Sequence, residues 1–207
     1  LGQTEMDNLL NHVTGSTGIA RESMVVFFSH THAAGLMGLE RQTLPGGDLI
    51  PGYLQGLAET VARLIVEARE AKTPATIGYG TGRCELAANR DFFDAQQDHP
   101  VCGFNPAGPA DDTVLVARIT DDQESTLATI VAYACHPTTL AWQNTLISPD
   151  YVGAMREVIE QATGGPCFFI QGASGDLGPR DGFVGDVLVA DRNGRQLGHA
   201  ALSAIEA

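Results

Sequence analysis

Two apolar runs, TVLVARIT (Thr113 to Thr120) and TLATIVAYAC (Thr126 to Cys135), flank the polar turn Asp121-Asp122-Gln123-Glu124. Both are rich in β-branched residues, and the short polar turn between them predicts an antiparallel hairpin. Downstream, Ser148-Pro149-Asp150 has the composition of a helix start: serine as N-cap, proline in the first turn and an aspartate facing the positive helix end. That helix is predicted to run to about Thr163 and to stop at Gly164-Gly165-Pro166. Cys167 to Ile170 then reads as a short buried strand, followed by the glycine-rich QGASGDLGPRDG. Strands alternating with helices give the class: α/β, a mixed β-sheet flanked by helices, with an active site at strand ends.

Working outward, Tyr53 to Ala71 carries the clearest helical period. Leu54, Leu57, Val61, Leu64, Ile65 and Ala68 share one face, with Glu59, Arg63, Glu67 and Glu70 mostly opposite. Residues 4 to 13 are weakly amphipathic and end near the turn Gly15-Ser16-Thr17-Gly18. Met24 to Phe28 and Pro74 to Tyr79 read as strands, Leu86 to Pro109 as a long irregular loop, and a last helix is expected from near Ala190. There is no internal repeat. At 207 residues the chain suits one large domain or a tight pair of subdomains. Its first residues lack a basic leader and its last residues stop inside a helical pattern, so we expect a single domain, residues 1–207, cut from a longer protein at both ends. Compartment and oligomeric state are not encoded in these residues.

Hydrophobic residues make up 43% of the chain and charged residues 18%, the composition of a folded globular protein. The formal net charge of -13 repels phosphate backbones and anionic lipid, which argues against nucleic-acid and nonspecific membrane binding. No run of about 18 apolar residues is present, so no transmembrane helix is expected. The four cysteines, Cys84, Cys102, Cys135 and Cys167, form no CxxC pair, which excludes a cysteine-rich zinc knuckle. Cys135 and Cys167 read as small buried hydrophobes.

The chemistry concentrates in three places. In SHTHAAG, an extended backbone through Ser29 to His32 would project His30 and His32 to one side. Two readings stay open on these residues alone: a metal- or substrate-binding pair, or loop histidines bonded to backbone. AYACHPTTL repeats the arrangement, an apolar strand ending in His136, so two strand ends could share a metal. Asp150 and Asp176 are the carboxylates placed to complete a ligand set, while His12, His99 and His199 read as surface residues. The glycine-rich loop lacks the P-loop lysine, GxGxxG and GxSxG, which leaves Asp176 as either a site residue or a turn cap. Arg90, in AANRDFF, could pin a carbonyl or oxyanion, or sit in a surface ion pair.

Taken together, SHTHAAG, the Asn89-Arg90 pair, YACHPTTL and QGASGDLGPRDG resemble, in this order, the neutral/alkaline non-lysosomal ceramidases. The resemblance covers most of the chain up to about Gly185 and implies a zinc-dependent amidase that cleaves the N-acyl bond of ceramide, an enzyme of sphingolipid metabolism. It implies Zn2+ held by His30 and His136, with His32 contacting substrate and Arg90 in the active site; Asp176 is grouped with His32 and Arg90 as catalytic. The implied partner is a small-molecule or lipid-like N-acyl substrate. Two departures stand out. Gly178 occupies the place of the serine that the family ties to catalysis, and the Glu and Tyr that complete the family's zinc site lie downstream of the residues given. Gly178 therefore also admits a non-catalytic, ceramidase-like binding or structural domain.

Overall fold

A computed structural model describes residues 1–206. They divide into two compact units, one of Leu1–Val26 and Gly35–Thr73, the other of Phe27–Ala34 and the chain from Pro74 onward.

The first unit is a helix pair. Helix α1, Gln3–Thr17, ends at Gly18, whose φ of 71° lets its amide donate to the Thr14 carbonyl. Helix α2, Ile50–Glu70, starts with Pro51 in its first turn, where the missing N–H costs nothing. Leu9 and Val13 of α1 are buried with Ala58 and Ala62 of α2, the small residues allowing close approach.

The second unit is built on a four-stranded sheet of β1 (Thr76–Arg83), β5 (Thr113–Thr120), β6 (Thr126–Tyr133) and β7 (Cys167–Gln171), in the order β1-β5-β6-β7. The β5–β6 hairpin is antiparallel, as the polar turn predicts, with Val116 opposite Val131. After helix α3, Tyr151–Thr163, the chain returns parallel to β6 as β7, with Val131 opposite Phe169, so the sheet is mixed. Helix α4, Val187–Glu206, packs beside α3 and against β1 and β5. Val114, Val131, Tyr133, Met155, Ile159 and Leu197 are buried between the helices and the sheet. Gly80 permits the closest contact: a Cβ there would lie 1.9 Å from the Ala204 carbonyl oxygen of α4. On the opposite sheet face Ile77, Tyr79, Leu115 and Phe168 are exposed. Cys84, Cys135 and Cys167 are buried and unbridged, and burial pushes the Cys167 thiol up to about 12.

Several expectations are corrected. Residues 24–28 form no strand; no neighbouring strand offers them a ladder, and Val25 is 85% exposed. The stretch from Leu86 to Pro109 is ordered as β2 (Ala87–Asn89), β3 (Asp91–Asp94) and β4 (His99–Cys102), with β3 paired to β4 and β2 to β8 (Leu177–Pro179). The glycine-rich loop thus contains a strand. The N-cap of α3 is Asp150 rather than Ser148: its carboxylate accepts from the Tyr151 amide at 2.7 Å, while Ser148 Oγ accepts from the Asp150 amide at 3.0 Å.

Candidate functional site

The strand β6 ends at Tyr133, and the chain continues through the buried Cys135 to His136, which is itself 8% exposed. Tyr151 Oη donates to the Cys135 carbonyl at 2.6 Å, and the His136 amide donates to the Leu177 carbonyl at 3.1 Å, fixing the backbone on both sides. The SHTH segment is docked on the turn that follows. His32 N donates to the Pro137 carbonyl at 3.3 Å, Thr31 Oγ1 to the Ser148 carbonyl at 2.8 Å, and Ser148 N to the Ala33 carbonyl at 2.8 Å.

These bonds gather three imidazoles. His30 and His136 bring their Nε2 atoms to 3.1 Å, and the ligand nitrogens of His30, His32 and His136 all lie within 4.8 Å of one another. The convergence does not come from strand alternation: His30 has a left-handed φ of 64°, which breaks the extended backbone between the two histidines and turns its ring toward His136. His32 is exposed, but partial desolvation, with the neighbouring histidines adding to it, holds its pKa below the ordinary 6.5; the buried His136 is likewise lowered, first by desolvation. Both rings are therefore neutral at physiological pH, with a lone pair free. Imidazole nitrogens suit zinc, which takes nitrogen at about 2.0–2.1 Å; two ligands on one tetrahedral ion stand about 3.3 Å apart, close to the His30–His136 separation of 3.1 Å.

Beside the cluster lies a cavity of about 520 Å³ whose wall includes His32, Arg90, Thr138, Leu140, Trp142 and Phe183. Trp142 stacks on Phe183, ring centroids 6.1 Å apart. His32 faces this cavity, while His30 and His136 are not part of its wall. Arg90 follows β2, and its guanidinium donates to the Gly175 carbonyl through Nε at 3.1 Å and Nη2 at 2.9 Å, so it braces the glycine-rich loop rather than a surface carboxylate. Gly178, buried in β8, has room for a Cβ, which would meet Arg90 Cδ at 3.6 Å and Thr138 Oγ1 at 3.8 Å, ordinary van der Waals distances. Thr138 Oγ1 is buried and has no partner.

The two candidate carboxylates stand outside the histidine group. Asp150 is 2% exposed and uses both oxygens on backbone amides, those of Tyr151 and Leu140. Its φ of 55° is tolerated because those two bonds fix it. Asp176 is exposed, accepting from Asn89 Nδ2 at 3.3 Å through its side chain and from the Arg90 amide at 2.8 Å through its carbonyl. His12, His99 and His199 are exposed, as expected. Sequence reasoning missed Thr138, Trp142 and Phe183 as cavity residues; Thr138 lies within YACHPTTL, but nothing in the residues themselves brings Phe183 back across the same opening.

The structure of a ceramidase complexed with C2 superposes with a TM-score of 0.70 at 18% identity, covering 98% of this chain and 34% of that one. Neutral ceramidase from Pseudomonas aeruginosa superposes with a TM-score of 0.58 at 19% identity, covering 74% of this chain and 26% of that one. The chain has a ceramidase-like fold. It spans about a quarter to a third of the length of those structures. No protein-family profile and no curated protein matches it. Among the described residues, no helix of this ceramidase-like fold is long and apolar enough to cross a membrane.

Proposed function

We propose that this chain carries the metal-binding part of a zinc-dependent hydrolase that cleaves an N-acyl amide, with ceramide or a related lipid amide as substrate. The observation that carries the reading is the gathering of three imidazoles beside an apolar cavity. The Nε2 atoms of His30 and His136 stand 3.1 Å apart, and of the three histidines His32 is the one that also lines the cavity. Support also comes from the ceramidase-like fold.

In this reading His30 and His136 hold the metal through Nε2. A zinc ion there would polarise an acyl carbonyl and ready water for attack near neutral pH. His32, neutral and at the cavity wall, is placed to accept a proton from the attacking water or to hydrogen-bond the amide. Arg90 shapes the wall by holding the Gly175 carbonyl, and the remainder of its guanidinium borders the space where substrate would lie. The apolar side chains of Leu140, Trp142 and Phe183 suit a hydrocarbon portion of the substrate. Asp176 serves the site by anchoring Asn89 and Arg90 through its loop.

The test separates ligands from substrate contacts. Turnover of an N-acylated amino alcohol by the protein containing this chain is expected to stop on chelation and recover with zinc. His136→Ala is expected to lose both metal and turnover. His32→Ala is expected to keep the metal while turnover falls by at least about 100-fold. Turnover that survives both chelation and His136→Ala would refute the proposal.

A further inference from the structure

His136 is more than a strand-end imidazole; its outer nitrogen is held by a network that dictates where its proton sits. Nδ1 lies 2.5 Å from the Ser174 carbonyl oxygen and 3.3 Å from Ser174 Oγ. A carbonyl oxygen only accepts, so the proton of neutral His136 must be on Nδ1, which leaves Nε2 unprotonated toward His30. The position of that carbonyl then decides the usefulness of the ring. Ser174 lies between Gly172 and Gly175, in a loop with little side-chain mass of its own to fix it. It is nevertheless 6% exposed and firmly tied.

The tie is Gln171, the last residue of β7. Its amide nitrogen donates to Ser174 Oγ at 2.6 Å and to the Cys135 carbonyl at 3.0 Å. One side chain thus clamps the segment that carries His136 to the segment that carries its acceptor. The orientation of the amide is settled by these contacts, because a flipped amide would set its oxygen against the Cys135 carbonyl. The fit has a penalty: Gln171 Oε1 is buried without a partner. A leucine would fill the space without an unpaired oxygen, so a glutamine here answers to something other than packing.

We propose that Gln171, acting through Ser174, is a positioning residue that fixes the Nδ1–H tautomer of His136 and aims its Nε2 into the histidine cluster. The inference rests on the metal-site reading for its purpose, but its first test needs no metal. In the metal-free chain labelled with 15N-histidine, at a pH where the ring is neutral, long-range 15N–1H correlations are expected to show one His136 tautomer, protonated on Nδ1. Gln171→Leu is expected to convert it to a mixture. Ser174→Ala, which keeps the carbonyl but removes the bond to Gln171, is expected to shift it the same way. In a cobalt(II) titration of the protein containing this chain, both variants are expected to bind about 10- to 100-fold more weakly than wild type, the usual effect of losing an outer partner of a histidine ligand. An unchanged tautomer in both variants overturns the inference, whatever the metal affinity. A tautomer shift, when the protein containing this chain binds no cobalt(II) or zinc, upholds the positioning role and refutes the metal reading instead.

Discussion

At Gly178 the space decides what a single atom would do. A side chain there meets its neighbours only at ordinary van der Waals distance, and the nearby Thr138 hydroxyl is buried and unpaired. A serine Cβ standing 3.8 Å from Thr138 Oγ1 brings its own hydroxyl within hydrogen-bond reach of it. Gly178→Ser is therefore expected to fold with a thermal midpoint equal to or above that of wild type, as measured by circular dichroism; a clear loss would show that the space is not real. The same residue marks a limit of what the sequence discloses. That Gly178 replaces a serine is visible in the residues, but that the gap borders Arg90 and Thr138 depends on the pairing of β8 with β2, two strands of three residues without β-branched side chains. Propensity gives no hint of such strands; their partners make them.

Between elements, close packing sets opposite signs for one substitution. A Cβ on Gly194 of α4 would lie 2.2 Å from the Tyr151 carbonyl oxygen and 2.8 Å from the Met155 amide nitrogen of α3. Alanine gains about 1 kcal/mol of helix propensity at such a position. The clash with backbone outweighs it, and Gly194→Ala is expected to destabilise the protein by a net ~1–3 kcal/mol. Gly56 of α2 has nothing within 4 Å of the added atom. Gly56→Ala is expected to stabilise by ~0.5–1 kcal/mol. Urea unfolding of the two variants checks both signs, and equal shifts would contradict the packing described. The long helices and the β5–β6 hairpin are legible in the sequence because their periodicity is local. The approach of SHTH to His136 is not, because it depends on Thr31 bonding to a carbonyl 117 residues away and on the left-handed turn at His30.

Across the molecule, acidity and stability are linked through specific carboxylates rather than through the net charge of -13 alone. Glu160, near the end of α3, accepts from the Cys167 amide at 2.9 Å, and that bond, aided by Arg156, holds its carboxyl below the ordinary 4.5. The sign follows. The folded chain binds the proton less readily than the unfolded chain, so the contribution is complete above pH 4.5 and is lost as pH falls below it toward the folded value. Glu160→Gln is expected to flatten the fall of the thermal midpoint between neutral and acidic pH; a fall parallel to wild type would remove Glu160 from the account.

The central claim is the metal site, and the most direct measurement is zinc content after exhaustive dialysis, read by elemental analysis for wild type, His30→Ala, His32→Ala and His136→Ala. For the protein containing this chain, the account predicts about one zinc per molecule of wild type, about one for His32→Ala, and a loss to background for His30→Ala and His136→Ala. Wild-type protein that retains no zinc, or His30→Ala and His136→Ala variants that retain it in full, would contradict it.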